Sequence, residues 1–237
     1  MTNLRHWPGA ERRRPSLGSP SYLHLRELAN AIWTFAESLP TSSDLRLLDV
    51  GCSRKPYYPY FATRVRQYVG VDASITIGQP DCICVAERLP FAEGTFDITL
   101  STQMIAYVDD PVAVLREMGR VLRPGGTLLL STHGLFPNMR DVWHMTDTGL
   151  HRVAEMAGFE VVRIIPNGGA VMCLFQLLAL YVGTVTNAMP GPVRRVLVPL
   201  IVALNIAGLA LDRLAGGRAA HFASANFLVV ARTAGRN

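Results

Sequence analysis

LLDVGCSRKPYYPYF, Leu47–Phe61, decides how this chain is read. Apolar residues run up to Asp49, and the chain turns at Gly51. A buried strand that ends in an acid and a glycine turn opens the nucleotide-binding loop of an α/β sheet. The glycines that normally follow are missing; Ser53, Arg54, Lys55 and Pro56 stand there, then tyrosines. Gly51 still lets the backbone approach a ligand, but nothing after it closes backbone N–H groups around a pyrophosphate. Asp49 would also repel phosphate. The loop therefore expects a ligand with positive charge and no phosphates.

Working outward, RLLDV (46–50) is the first strand and QYVGVDA (67–73) the second. DCICV (81–85) is a short third, FDITLST (96–102) a fourth and TLLLST (127–132) a fifth. FEVVRII (159–165) and ANFLVVAR (225–232) complete the set. Helices are expected between them. The segment 19–40 carries apolar residues at three- and four-residue spacing, with a serine to cap its start and Pro40 past its end. DDPVAVLREMGRVL (109–122) has a capping aspartate and Pro111 in its first turn. RPGG (123–126) reads as a tight turn, and DTGLHRVAEMAG (147–158) as a helix stopped by Gly158. Alternating strands and helices imply a mainly parallel sheet covered on both faces. Ligands of such sheets bind beyond the carboxyl ends of the strands. Asp72 falls there, 21 residues after Gly51, where an acid can meet ribose hydroxyls, and Glu87 follows the third strand.

LLDVGCS, YVGVDAS, the run AERLPFAEGTFDITLSTQMIAYVDDPVAVLREMGRVLRPGGTLLLST (86–132) and GLHRVAEMAGFEVV resemble, in order and spacing, the motifs of class I S-adenosylmethionine-dependent methyltransferases. The likeness is to the group related to the ubiquinone and menaquinone methylases, and it covers about residues 45–166 plus a last strand. The resemblance implies a Rossmann-like fold with a seven-stranded sheet and S-adenosylmethionine as cofactor. It implies that Gly51, with Cys52 and Ser53, forms the first loop. Asp49 would organise that loop and the methionine amino group, while Asp72 and Ala73 would meet the ribose. Ala86 and Glu87 would lie near the adenine, and Ser101, Thr102 and Gln103 would line the floor. The chain departs from the family at Ser53, at Val85 in place of an adenine-binding aspartate, and at Ala106–Tyr107 in place of a Glu-His pair. The last departure removes the usual base. His133, Tyr107 and His144 are then the catalytic candidates by position, with pocket lining or a plain surface loop as the other reading of the histidines. Asp141 is placed to steer an acceptor, while His151 reads as solvated, and His24 and His221 have no neighbours that point to a role. Tyr57, Tyr58 and Tyr60 either pack a short helix or shelter a sulfonium.

No zinc or disulfide spacing joins Cys52, Cys82, Cys84 and Cys173, so no metal is expected. Cys82 and Cys84 are expected to share one face of the third strand. The net charge is +5, and Arg12–Arg14 form its one tight run. Residues 1–19 read as a disordered basic tail, either solvated or touching a membrane surface. Residues 20–237 read as one domain, with an apolar helical insertion over 168–220 before the last strand. Ala170–Met189 could just span a bilayer; Val196–Leu211 is short for that. The pair is expected in the membrane interface, over the sheet or in a dimer contact, and in each case beside the substrate. The resulting expectation is a cytoplasmic enzyme, peripheral on the inner membrane face, that methylates an oxygen of a small, lipid-linked or glycan acceptor. A non-catalytic cofactor-binding scaffold is the alternative. Nucleic acid is not an expected partner, since no basic, aromatic-interleaved face is visible.

Overall fold

A computed structural model describes residues 4–41, 44–75, 78–137, 140–189, 191–216 and 222–234. After a 3-10 turn at Leu4–His6 come α1 (Ala10–Arg13), α2 (Tyr22–Ser38), β1 (Arg46–Val50) and α3 (Tyr58–Phe61). Next are β2 (Gln67–Asp72), β3 (Cys82–Ile83), β4 (Phe96–Thr102), a 3-10 turn (Ile105–Tyr107), α4 (Pro111–Val121) and β5 (Leu122–His133). The chain ends with α5 (Asp147–Met156), β6 (Phe159–Pro166), α6 (Ala170–Asn187), α7 (Gly191–Leu214) and β7 (Asn226–Thr233).

Among the described residues the strands form one sheet in the order β3-β2-β1-β4-β5-β7-β6. All neighbours are parallel except β7, which runs antiparallel to β5 and β6. Strand order reverses between β1 and β4, which places the ligand crevice at their carboxyl ends. One face buries Val114, Leu115 and Met118 of α4 with Leu150 and Ala154 of α5. The other buries Leu28, Ile32 and Ala36 of α2 with Tyr57 and Phe61. Near-continuous apolar strands such as β1 and β4 follow from burial on both faces.

Local chemistry sets most helix ends. Asp110 Oδ1 accepts the Ala113 N–H at 2.9 Å and Pro111 opens α4. Thr146 Oγ1 accepts the Gly149 N–H at the start of α5, and Gly158 follows its end at φ 90°. The serine expected to cap α2 does not. Ser21 has helical-side ψ, so its hydroxyl cannot turn onto the first N–H groups. Gln176 of α6 does that work from 152 residues away: its Oε1 accepts the His24 N–H at 2.9 Å, and its Nε2 donates to Pro20 O at 2.6 Å. RPGG also differs from expectation. Pairing jumps from Phe96–Leu122 to Ile98–Thr127, so 123–126 loop out as a bulge inside β5, with Gly125 at φ 73°. The third strand is shorter than expected and ends before Cys84, although Cys82 and Cys84 both pack against one core cluster.

Residues 4–19 correct the expectation of a disordered tail; residues 1–3 lie outside the described residues. The Trp7 indole N–H donates to Lys55 O at 2.9 Å, and its ring packs on Tyr58 at 4.4 Å. Arg13 donates to the carbonyls of Trp7, Pro8 and Pro56. Asn205 of α7 donates to the carbonyls of Leu17 and Ser19 at 2.8 and 3.0 Å. The segment is thereby strapped across the carboxyl end of the sheet.

The insertion forms two helices that pack on each other and on α2. α6 buries Met172, Cys173, Gln176, Ala179 and Gly183, and Cys173 meets Phe136 and Ala225 just beyond β5. Asp212 of α7 accepts the Gly169 and Met172 N–H groups, each at 3.1 Å, and so caps α6. The second apolar stretch, expected to be short, lies in a 24-residue helix with Pro199 inside it. Both helices have the length and composition to cross a bilayer. The side chains of 192–195, including the arginine pair, and residues 217–221, including His221, lie outside the described residues.

Candidate functional site

A cavity of about 330 Å³ opens beyond β1 and β2, beside the reversal of strand order. It brings together Gly51, Asp72, Ala73, Ala86, Glu87 and Tyr107 of the sequence candidates. Val85, Met104, Val108 and Asp109 also line it. Gly51 sits at φ 72°, and a Cβ there would lie 2.7 Å from Met104 Cβ, so only glycine keeps this wall thin. The loop after Gly51 is pinned by Asp72. Its Oδ2 accepts the Ser53 N–H at 2.9 Å and its Oδ1 the Ser74 N–H at 3.2 Å. Ser53 reaches that bond at φ 46°, an unusual angle for a residue with a side chain. A carboxylate has about four acceptor positions, so both oxygens keep capacity for hydroxyls.

Asp49 lies behind this wall and is 1% exposed. Tyr68 donates its hydroxyl to Oδ2 at 2.5 Å, while Oδ1 is buried without a hydrogen-bond partner. Burial raises its pKa to about 7, against the lowering effects of Tyr68 and Lys55. The other loop candidates are arranged differently from the sequence reading. Cys52 is buried, and Ser53 contributes its backbone rather than a cavity wall. Ser101, Thr102 and Gln103 do not line the cavity; the floor beside Gly51 is Met104. Gln103 instead stands at φ 58°, accepts a hydrogen bond from Arg12 and reaches Asn226 Oδ1 at 3.5 Å.

The three catalytic candidates do not converge. Tyr107 opens onto the first cavity and is 47% exposed. His144 opens onto a second cavity of about 350 Å³ with Leu135, Thr146 and Phe227, and pairs with Asp141 at 2.8 Å. His133 lines neither cavity. It is 5% exposed, stacks on Phe136 at 4.3 Å, and burial lowers its pKa to about 4. A base at neutral pH is therefore absent from that ring in any useful strength. The segment carrying Asp141 and His144 hangs on the first cavity's rim: the Val142 and Trp143 N–H groups donate to Ala106 O, and the Trp143 indole to Val108 O. The tyrosine run packs: Tyr57 is fully buried, Tyr58 contacts Tyr68, and Tyr60 contacts Trp33.

Two residues passed over in the sequence stand close to the site. His24 of α2 is 4% exposed, its ring 6.5 Å from that of His133, with burial lowering its pKa to about 3. Arg12 was one of a charge run, and its guanidinium is carried inward by α1 to Gln103. Neither carries a local signal, since both are placed by contacts with distant segments.

This strand order, with an acid-pinned glycine loop at the reversal, defines the class I methyltransferase fold. The sequence profile described as a methyltransferase domain matches residues 48–130. An uncharacterized methyltransferase of Synechocystis is 30% identical over 155 residues, covering 54% of this chain and 72% of that protein. A ubiquinone biosynthesis O-methyltransferase of Parvibaculum lavamentivorans is 30% identical over 142 residues, covering 53% of this chain and 56% of its own. Among solved structures, the cyclase SpnF superposes with a TM-score of 0.59 at 19% identity, covering 90% of this chain and 84% of that one; this likeness shows the fold. The chain spans 16, 25 and 24% of three further curated relatives. It belongs to the class I S-adenosylmethionine-dependent methyltransferases. The residues present fit that cofactor: a buried, unpartnered Asp49 oxygen suits a cation, and Asp72 keeps acceptors for a ribose.

Proposed function

We propose that this protein transfers the methyl group of S-adenosylmethionine to an oxygen of a small-molecule acceptor. The observation that carries the reading is the cavity at the strand reversal, walled by Gly51, Asp72, Ala86 and Glu87. The named O-methyltransferase among its relatives supports oxygen as the attacked atom. Asp72 and Ala73 would hold the ribose, Val85, Ala86 and Glu87 the adenine, and Asp49 the ammonium group. Val85 replaces a hydrogen-bonding acid with an apolar wall, so the adenine is held there by packing. The bound cofactor supplies an electrophilic methyl with a good leaving group. The protein's part is alignment and exclusion of water. Gly51 allows close approach, and the Val142–Trp143 segment is hydrogen-bonded to Ala106 and Val108 at the rim.

Asp72→Ala tests the site. Affinity for S-adenosylhomocysteine, read by calorimetry, is expected to fall at least about tenfold, the equivalent of ~1.4 kcal/mol. Unchanged affinity would remove Asp72 from the site. Binding without label transfer from S-adenosylmethionine to any component of a metabolite and membrane extract would favour the scaffold alternative.

We further propose that the protein lies on a membrane surface through α6 and α7, with a lipid-linked acceptor within reach. α6 turns Leu174, Leu178, Tyr181 and Val185 outward at four- and three-residue spacing, opposite its buried stripe. α7 turns out Val196, Leu200 and Ile206. An apolar stripe on a helix whose other face is packed suits burial in the interface rather than spanning. Deleting the insertion would remove Gln176 and so strip the cap from α2, so substitution is the better test. Wild-type protein is expected to sediment with vesicles containing anionic phosphatidylglycerol, and Leu178→Glu with Tyr181→Glu to reduce the bound fraction at least fivefold. Equal partition of both proteins would remove the membrane contact.

A further inference from the structure

A second group of polar side chains meets over the ends of β4 and β5, apart from the cavity that holds Asp72. Its centre is Arg12. One guanidinium nitrogen donates to Gln103 Oε1, and Nε is buried without a hydrogen-bond partner. Among the described residues no carboxylate lies within ion-pair distance of Arg12. The buried Tyr57 hydroxyl lies beside it. His24 and His133, each more than nine-tenths buried, flank Phe136 at ring distances of 4.9 and 4.3 Å. Nδ1 of each histidine is buried without a partner.

The arrangement is held from several sides, as a binding site is. Gln103 is kept at φ 58° by its N–H bond to Ser131 O at 2.8 Å, while Asn226 takes its amide nitrogen. Asn226 is itself fixed by Ser131 Oγ at 2.9 Å. Backbone strain of this kind, at the end of a strand beside a ligand crevice, is retained where geometry matters. A guanidinium half-enclosed by rings, with Asp49 in electrostatic reach but no carboxylate in contact, is costly unless an anion joins it. Its planar donor fork matches a carboxylate.

The chemistry of the surroundings points the same way. Burial keeps both histidines neutral, with pKa values lowered to about 3 for His24 and about 4 for His133. The Tyr107 hydroxyl is pushed up, first by burial and then by Asp141. Among His24, His133 and Tyr107, a neutral hydroxyl acceptor would find no base matched to neutral pH. An acid that arrives ionised needs none.

We propose that the acceptor is a carboxylic acid, seated by Arg12 with Gln103 and Tyr57, and that the product is its methyl ester. This rests on the methyltransferase reading above and names its substrate class. A carboxylate oxygen gives an electron pair to the methyl carbon, and the carbon–sulfur bond breaks with its pair left on sulfur. One negative and one positive charge cancel, giving a neutral ester and a neutral thioether with no proton to move. Such charge cancellation gains from a site that excludes water. Arg12 holds the carboxylate and leaves a lone pair on one of its oxygens to react. The strap formed by residues 4–19 thereby becomes part of the substrate site.

The test is binding to intact protein loaded with S-adenosylhomocysteine, followed by calorimetry. Octanoate, benzoate and malonate are titrated against their amides and against octyl phosphate. At least one carboxylate is expected to bind ten times tighter than its amide. Arg12→Gln should erase that preference, Arg12→Lys should restore part of it, and both should keep S-adenosylhomocysteine affinity within about twofold. Methyl label transferred to the preferred acid should be released as methanol by mild alkali. Equal affinity for acids and amides, tighter binding of octyl phosphate, or a preference that survives Arg12→Gln overturns the proposal. If wild-type protein fails to bind S-adenosylhomocysteine, the methyltransferase reading itself fails, which is a separate result.

Discussion

Asp49→Asn is expected to stabilise the ligand-free protein at pH 8 while costing ten- to hundredfold in affinity for S-adenosylhomocysteine. The two effects share one cause. Asp49 is 1% exposed, one oxygen is bonded to Tyr68, and the other has no partner. Burial moves its pKa from 3.8 to about 7. The folded state thus holds this proton more tightly than the unfolded state does. The Asp49 contribution to stability is greatest below 3.8, declines as pH rises between the two values, and stays lowered above 7. A shift of this size corresponds to a few kcal/mol at most, on the scale of ~1.4 kcal/mol per unit. Asparagine removes the charge but adds an N–H pair to satisfy, so the expected net gain is about 1–2 kcal/mol. Urea unfolding at pH 8 and pH 4 checks it: the advantage should be present at the first and absent at the second. The loss of affinity follows because a charged hydrogen bond is worth about 1.5–3 kcal/mol. An equal change in stability at both pH values, or unaltered affinity, would show that Asp49 carries no buried charge for the ligand.

The contrast between readable and unreadable parts of the chain follows from sequence distance. β1, β4 and β5 were legible because each is an apolar run bounded by turn residues. α4 was legible because Asp110, Pro111 and its apolar stripe act within one turn. Asp72 could be placed because a strand, a loop and a helix fix its spacing from Gly51. The strap at 4–19 gave no such signal. Its arginines look like a solvated run, yet Arg13 is matched to carbonyls at Trp7, Pro8 and Pro56. Gln176 and Asp212 are ordinary polar residues in apolar helices until the fold brings them to the ends of α2 and α6. His133 was rightly put at the end of β5, but its burial depends on Phe136 and on α2, which no local pattern places there. The site therefore divides: the cofactor side is built from local motifs, and the acceptor side from segments far apart in sequence.

That acceptor side should also be the acid-labile part of the protein. Between pH 6.5 and 4.5 the ligand-free protein is expected to lose on the order of 3 kcal/mol of stability, a large share of a typical domain's total. His24 and His133 have folded pKa values of about 3 and about 4, against an ordinary 6.5. The unfolded chain consequently binds more protons as pH falls below 6.5. Their contribution is complete above that value and is lost toward the folded pKa values. The charges facing them mostly reinforce the direction. His133 and Arg12 disfavour a proton on His24, although Gln176 favours it. His144 and Arg12 disfavour one on His133, while Asp141 favours it. Asp49 contributes with the opposite sign over the same interval, because its folded pKa is raised. The acid loss should therefore be steeper in the Asp49→Asn background than in the wild type. His24→Leu should remove most of the net wild-type decline, since the one histidine left to charge on unfolding is nearly offset by Asp49. Urea midpoints at pH 7.5, 5.5 and 4.5 for the three proteins separate these effects. The same decline in wild type and His24→Leu would place the acid sensitivity elsewhere in the molecule.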